Sequence, residues 1–178
     1  ILHTGSINKD RNPSALWKSL GNYTQNNPDF AAKLQIRLIG ALDANVRSDL
    51  EAAGLLPYTQ MENFVPHARV IEELAACSLL LLPINNVNNQ MGIVPGKVFE
   101  YLASEQPILA IGPSDGDSAN ILRSQAGTHI VGFEDPIEWP AIIAMCANKP
   151  NRKDTLTPYS RKELSLKIHA ILLDLVQK

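Results

Sequence analysis

The stretch from Leu79 to Ile111, LLLLPINNVNNQMGIVPGKVFEYLASEQPILAI, predicts a strand, a long loop, a helix and a second strand. The two end segments, Leu79–Leu82 and Ile108–Ile111, are apolar at every position, as expected of strands that are buried on both faces. Lys97–Ser104 between them carries apolar residues at helical spacing. The residues expected to face inward there are Val98, Phe99 and Leu102. Two strands joined through a helix indicate a parallel sheet.

The same alternation continues on both sides of this stretch. Further strands are predicted at Gln35–Ile39, Asn63–Val65 and His129–Val131, with the end of another at Ile1–Gly5. Helices are predicted at Asp43–Ala53, His67–Ala76, Ser114–Gln125, Pro136–Ala147 and Ser160–Val176. The helix at 67–76 places Val70, Ile71, Leu74 and Ala75 on one face, and the last helix has an apolar stripe of Leu164, Ile168, Ile171, Leu172 and Leu175. Regular alternation with short connections predicts an α/β fold with a doubly wound parallel sheet.

Composition limits the classes of function. The chain has 178 residues, a net charge of −2 and 45% apolar residues, which fits one globular domain and excludes a disordered chain. The near-zero charge argues against a nucleic-acid partner, which usually requires a basic face. The longest apolar run, Ala141–Ala147, is too short for a transmembrane segment.

Four further residues have simple structural interpretations. Cys77 and Cys146 lack the spacing of metal ligands, and we expect buried free thiols in a reducing compartment. Trp17 and Trp139 are expected to be packing residues. The chain does not begin with Met and has no signal segment, so we interpret it as part of a longer protein.

In a doubly wound sheet, ligands bind beyond the carboxyl ends of the strands. The polar segments that follow the predicted strands are His3–Ser6, Phe64–His67, the Asn-rich loop leading to Gly96, and Gly112–Asp115. Gly96 would permit close approach to the backbone, and the amides of Lys97 and Val98 at the helix start would favour an anion. Glu100 could accept the two hydroxyls of a ribose. The simpler alternative is an ordinary helix start with an intrahelical Lys97–Glu100 pair.

The segment Gly92–Ile108 resembles the donor-site motif of retaining glycosyltransferases of the GT-B fold, in the group 1 (family 4) class. The run Pro95–Leu102, PGKVFEYL, is especially similar to that of bacterial surface-polysaccharide enzymes. The opening segment His3–Pro13 is similar to the loop that begins their C-terminal, nucleotide-binding domain. Segments 64–67 and 76–83 follow in the family's order, so the resemblance covers nearly the whole chain.

The resemblance implies a Rossmann-like lobe that binds a nucleotide diphosphate sugar, with UDP- or GDP-sugars as the expected donors. It places Gly5 in the open loop beside the donor, Arg11 and Lys97 on the diphosphate, and Glu100 on the ribose. The remaining implied binding residues are Pro66, His67, Gly96 and Val98. Where the family has a first Glu near the donor sugar, this chain has Gly92, which puts a carboxylate contact there in doubt. For Arg11 the alternative is a solvated surface arginine, and for His67 a helix-start residue with no ligand role.

No cofactor or metal is expected, because positive side chains and backbone amides would meet the leaving diphosphate. No catalytic residue is assigned. The resemblance implies an N-terminal acceptor-binding domain outside these 178 residues, a cytoplasmic location compatible with membrane contact through that domain, and inactivity of this domain alone. Two alternatives remain: a nucleotide-sugar epimerase of the same fold, and a non-catalytic α/β binding module. The absence of GxGxxG, P-loop and GxSxG motifs excludes the usual NAD, ATP and acyl-transfer sites.

Overall fold

The computed structural model describes residues 1–152 and 159–176. One parallel sheet of six strands forms the centre of the molecule, in the order β3-β2-β1-β4-β5-β6. The strands are β1 (Leu2–Thr4), β2 (Ile36–Ile39), β3 (Thr59–Glu62), β4 (Leu80–Pro83), β5 (Ile108–Ile111) and β6 (Thr128–Val131). The predicted doubly wound parallel sheet is therefore confirmed.

Helices connect the strands and cover both faces of the sheet. They are α1 (Ser14–Asn26), α2 (Pro28–Ala31), α3 (Ala44–Ala52), α4 (His67–Ala76), α5 (Lys97–Ala103), α6 (Asp117–Arg123), α7 (Trp139–Cys146) and α8 (Arg161–Val176). Asp43 caps α3, its carboxylate accepting from the Asn45 amide, and Gly54 follows the helix with a φ of +70°. Within the described residues, no helix is long and apolar enough to span a membrane.

Two hydrophobic cores lie on opposite faces of the sheet, because successive strand side chains point in opposite directions. Leu81 of β4 packs with Trp17 and Trp139 in one core, so the expectation that both tryptophans are packing residues is met. Its neighbour Leu80 packs in the other core, which also contains Tyr101.

The prediction of a strand at Asn63–Val65 is wrong. The strand is Thr59–Glu62, whose four residues pair in register with Ile36–Ile39. This strand lies at one edge of the sheet and is only partly buried, so its sequence does not need an apolar run. Glu62 instead forms ion pairs with Arg37 at 3.3 Å and Arg69 at 2.8 Å, which tie the edge strand to β2 and α4.

Two helices begin later than predicted. The chain turns at Pro113–Gly116, with the Gly116 amide donating to the Pro113 carbonyl at 3.3 Å, so α6 begins only at Asp117. Helix α7 begins at Trp139, with Pro140 in its first turn, where the missing amide proton costs nothing.

Three predictions of side-chain burial are also wrong. In α5, Tyr101 is fully buried and Phe99 is 37% exposed. In α4, Leu74 is buried but Ile71 and Ala75 are exposed. Cys77 and Cys146 are free but only partly buried. The five stripe residues of α8 are exposed as well.

Candidate functional site

The centre of the sheet is the point where the strand order reverses, between β1 and β4. These two strands pair only at Leu2 and Leu80 and separate toward their carboxyl ends. Side chains fill the gap. The His3 Nδ1 donates to the Leu81 carbonyl at 2.9 Å, and the Thr4 amide donates to the Tyr101 hydroxyl at 2.9 Å. Ligands of doubly wound sheets bind at such a reversal, so this edge is the natural candidate site.

His3 is a neutral, buried acceptor beneath this edge. A carbonyl can only accept, so the proton lies on Nδ1 and the other ring nitrogen, Nε2, carries a lone pair. Nε2 is buried and has no hydrogen-bond partner in the described structure. Burial, reinforced by the nearby cations Lys97 and Arg11, lowers the pKa of His3 to about 4. The ring is therefore uncharged at neutral pH.

Gly5 shapes the surface above the strand. Its φ of +101° lies in the left-handed region, and its amide donates to the Ile39 carbonyl at 2.6 Å. The end of the Lys97 side chain lies in the space that a Cβ on Gly5 would occupy. Absence of a side chain at position 5 therefore lets Lys97 cross the carboxyl edge of the sheet.

Lys97 is a half-buried cation with an altered proton affinity. Burial and the positive charge of Arg11 lower the pKa of its ammonium, while Glu100 acts in the opposite direction. No ion pair joins Lys97 to Glu100 within the described residues, so the simple intrahelical pair is not formed. An anion that approaches Gly5 would therefore meet an ammonium that is not already paired with the Glu100 carboxylate.

Arg11 is held in place by polar partners. Its Nε and one terminal nitrogen donate to the Asn85 side-chain oxygen at 2.9 and 2.6 Å. The other terminal nitrogen donates to the Ser6 carbonyl at 3.2 Å. The backbone of Asn86 also donates to the Asp10 carbonyl at 2.6 Å, joining the two loops. Arg11 is thus fixed by hydrogen bonds, rather than being a freely solvated surface arginine.

The structure brings some predicted residues together and separates others. Gly5, Arg11 and Lys97 converge at the β1–β4 edge, with the exposed Glu100 one helical turn from Lys97. Pro66 and His67 are exposed beyond the edge strand β3, which lies two strands, or on the order of 10 Å, from β1.

Two expectations at the start of α5 need correction. The Val98 amide was expected to be free, but it donates to the Pro95 carbonyl at 3.0 Å, and the Val98 side chain is fully buried. Gly96 has a φ of −54°, which any residue can adopt, and a Cβ there would meet open space. Gly96 therefore leaves room for a ligand but is not needed for a special backbone conformation.

Four residues of the site were given no role from the sequence: Asn85, Tyr101, Thr4 and His3. Asn85 belongs to an Asn-rich loop that predicts solvent exposure, and nothing local indicates that it holds Arg11. Tyr101 and Thr4 are 97 residues apart. A polar residue at the end of a strand was the available signal for His3, which the sequence placed near the cleft without a role.

Three solved structures share this fold. A trehalose-phosphate synthase (UDP-forming) from Burkholderia vietnamiensis aligns with 99% of this chain and 45% of its own, at 13% identity and a TM-score of 0.65. For a sucrose-phosphate synthase from Thermosynechococcus elongatus, the alignment covers 98% of this chain and 45% of the synthase, at 11% identity and a TM-score of 0.71. The C-terminal domain of a glycosyl transferase group 1 family protein from Francisella tularensis aligns with 82% and 73%, at 14% identity and a TM-score of 0.57.

These likenesses establish the fold as one lobe of the GT-B architecture, as the sequence resemblance predicts. The chain spans less than half the length of the two synthases. No protein-family profile matches it, and no curated protein matches it in sequence.

Proposed function

We propose that this chain is the donor-binding domain of a glycosyltransferase that moves a sugar from a nucleotide diphosphate sugar to an acceptor. The observation that carries the proposal is the convergence of two cations, Lys97 and Arg11, above the left-handed Gly5 at the point where the strand order reverses. A diphosphate carries negative charge that this pair would neutralise.

The role of the two cations follows from the chemistry of transfer. When the sugar–phosphate bond breaks, negative charge develops on the departing nucleoside diphosphate. Cations that are already oriented stabilise that charge without reorganisation at the moment of reaction. Arg11 is oriented by Asn85, while Lys97 is desolvated and therefore interacts more strongly with an anion than a fully hydrated lysine would.

The other predicted contacts belong to the same proposal. Glu100, exposed beside Lys97, would accept the ribose hydroxyls, and Pro66 and His67 would lie toward the base. Gly92 provides no carboxylate where the family has one, and a Cβ at this position would meet open space. No metal or cofactor is proposed, and an N-terminal domain would supply the acceptor site. The proposal includes a hexosyl donor, a surface-polysaccharide acceptor, a bacterial cytoplasmic setting and inactivity of this domain alone.

The test is a titration of the 178-residue chain with UDP, GDP, ADP and dTDP and with their sugar conjugates. Calorimetry measures the affinity, and amide chemical shifts locate the site. One nucleotide series is expected to bind with shifts at Gly5, Lys97 and Glu100. UDP is the first choice, because the similar Burkholderia synthase is described as UDP-forming. The variants Lys97→Ala and Glu100→Ala should each weaken binding by about 1–3 kcal/mol, the scale of hydrogen bonds to charged groups.

The control is Lys33→Ala, which removes an exposed lysine at the opposite edge of the sheet. Its nucleotide affinity should be unchanged. Unaltered affinity in both site variants would reject the site, and absence of binding by every nucleotide would favour a non-catalytic module. In the full-length protein, conversion of UDP-N-acetylglucosamine to its epimer without acceptor would favour the epimerase.

A further inference from the structure

His3 lies in the gap between β1 and β4, beneath the candidate donor site. Its register neighbour on β2 is Leu38, and on the other side its Nδ1 donates to the Leu81 carbonyl of β4 at 2.9 Å. Only 1% of the residue is exposed to solvent. His3 is therefore a buried titratable group that takes no part in the contacts assigned to the donor.

Two backbone carbonyls lie beside the His3 ring. The Leu81 carbonyl accepts from Nδ1, and the Gly5 backbone also acts to raise the pKa of the ring, as a nearby acceptor does. Nε2 is buried and makes no hydrogen bond within the described residues, because in the neutral ring it carries a lone pair and no proton. Only the imidazolium, which donates from both nitrogens, can satisfy both carbonyls at once.

Burial and two cations oppose protonation of this ring. Lys97 at the start of α5 and Arg11 in the loop before α1 are the charged groups that act on it most strongly. Both lower the pKa of His3, which together with the larger effect of burial brings it to about 4. The free domain therefore keeps His3 neutral, although its two carbonyl neighbours suit the charged form.

Other ionisable groups around the ring do not alter this balance. Those on the same two elements have weaker effects and are Lys9, Asp10, Glu100 and Tyr101. The ion pair between Arg37 of β2 and Glu73 of α4 lies on the opposite face of the sheet, since Arg37 is the register neighbour of Leu2 and not of His3. The charge state of His3 thus depends on what neutralises Lys97 and Arg11.

The two cations that disfavour protonation of His3 are the groups proposed to hold the donor diphosphate. A bound diphosphate would neutralise Lys97 and Arg11 and place negative charge above the ring. Both changes raise the pKa of His3 toward the 6.5 of an ordinary histidine. Because linkage is reciprocal, a proton on His3 strengthens binding of the diphosphate by the same factor.

We propose that His3 takes up a proton when the donor diphosphate binds, and that its Nε2–H then donates to the Gly5 carbonyl. The proton comes from solvent and returns to it when the nucleotide leaves, and no covalent bond is broken. The imidazolium adds a third positive charge beneath the diphosphate and holds the loop that begins at Gly5. This inference rests on the proposed donor site and assigns it a positioning residue that acts through Gly5 and through its charge.

The experiment is calorimetric titration of the 178-residue chain with UDP-glucose, whose doubly esterified diphosphate does not titrate near neutral pH. Titrations in acetate and in MES, two buffers of different ionisation enthalpy, count the protons taken up. At pH 5.5 about half a proton or more should be taken up per nucleotide, and at pH 7.5 almost none. The affinity should be about fivefold higher at the lower pH.

Variants assign the proton to its site. His3→Asn keeps a donor for the Leu81 carbonyl but cannot titrate, so both the proton uptake and the gain in affinity at pH 5.5 should disappear. His169→Asn removes an exposed histidine of α8 and is the matched control, which should behave as the wild type does. Ring-nitrogen chemical shifts of the wild type give a readout that requires no variant. At pH 5.5 Nε2 of His3 should be unprotonated in the free domain and protonated in the complex.

Two results would overturn the role of His3 and leave the donor site intact. They are proton uptake that persists in His3→Asn, and nucleotide binding with shifts at Lys97 and Glu100 while Nε2 of His3 stays unprotonated. A different result, the absence of binding by UDP-glucose and by its GDP, ADP and dTDP counterparts, would reject the donor site and the proton uptake together. Failure of this inference is therefore distinguishable from failure of the proposed function.

Discussion

The ammonium end of Lys97 occupies the space that a side chain on Gly5 would fill. The position of Lys97 at the start of α5 therefore requires that Gly5 at the end of β1, 92 positions earlier in the sequence, has no side chain. Since Gly5 also has a φ of +101°, the same residue satisfies a backbone requirement and a spatial one.

Gly5→Ala should both destabilise the domain and displace Lys97. The left-handed conformation of a non-glycine residue costs about 1–3 kcal/mol, and chemical denaturation should show a loss of that size. Nucleotide affinity should also fall, because the ammonium can no longer lie against position 5. In the Lys97→Ala background, Gly5→Ala should keep its stability cost and have little further effect on affinity.

Gly92→Ala is the matched control for this prediction. Gly92 has no positive φ, and a Cβ there would meet open space. Its free energy of unfolding should change by no more than about 0.5 kcal/mol. An equal loss in both glycine variants would contradict the role assigned to Gly5.

His3 should make the domain sensitive to mild acid. Its pKa is about 4 in the folded state and 6.5 in an ordinary histidine, so the unfolded chain binds the proton first. The contribution of neutral His3 to the free energy of unfolding is therefore fully present above pH 6.5. It is lost as the pH falls from about 6.5 to about 4. A shift of this size corresponds to at most about 3 kcal/mol.

The measurement is urea denaturation across this pH range, with His3→Asn and His67→Asn compared. Asn at position 3 can still donate to Leu81 but does not titrate, so the loss of stability with acid should become smaller. His67 is exposed, so its replacement should leave the pH profile unchanged. Identical profiles for the wild type and His3→Asn would disprove the assignment.

Tyr101→Phe should cost about 1–3 kcal/mol, since the buried Thr4 amide would lose its acceptor. The hydroxyl joins α5 to the end of β1, so the cost is local to the candidate site. Tyr58→Phe is the control, because the Tyr58 hydroxyl makes no hydrogen bond among the described residues. Thermal or urea unfolding of the two variants measures the difference, and equal stabilities would show that the bridge contributes little.

Asn85→Ala should weaken nucleotide binding without a large change in stability. The Asn85 oxygen orients Arg11 through two hydrogen bonds, and its loss leaves the guanidinium charged and bonded only to the Ser6 carbonyl among the described residues. The affinity loss should be smaller than that of Arg11→Ala, and the double variant should resemble Arg11→Ala alone. Calorimetry with the best-binding nucleotide gives these three values. Additive losses would mean that Asn85 acts independently of Arg11.

Arg152 should be among the most sensitive positions for folding. It is fully buried and donates to backbone carbonyls before β5 and β6 and at the end of α5. Arg152→Met would remove the guanidinium donors from several backbone carbonyls. The free energy of unfolding should fall by about 1–3 kcal/mol for each buried carbonyl left unsatisfied. Arg47→Met, on the exposed face of α3, should be nearly neutral. Comparable unfolding midpoints would contradict this prediction.

Local sequence patterns are sufficient to predict the architecture and part of the site. Apolar runs such as Leu79–Leu82 and helical spacing such as that of Lys97–Ser104 are local patterns, and their alternation is sufficient to predict a parallel sheet. The same patterns placed Gly5 and Lys97 in segments that follow strands, whereas Arg11 was assigned only through the family resemblance. They failed at the edge strand β3, where partial burial allows polar residues and leaves no apolar run to detect.

The assembly of the site depends on tertiary packing. The direction of Lys97 toward Gly5 rather than Glu100, the burial of Tyr101 in place of Phe99, and the fixation of Arg11 by Asn85 all depend on how α5 and two loops pack on the sheet. These contacts join residues 74 to 97 positions apart. Local periodicity contains no information on such distant pairs, because their meeting depends on the packing of the whole sheet and its helices.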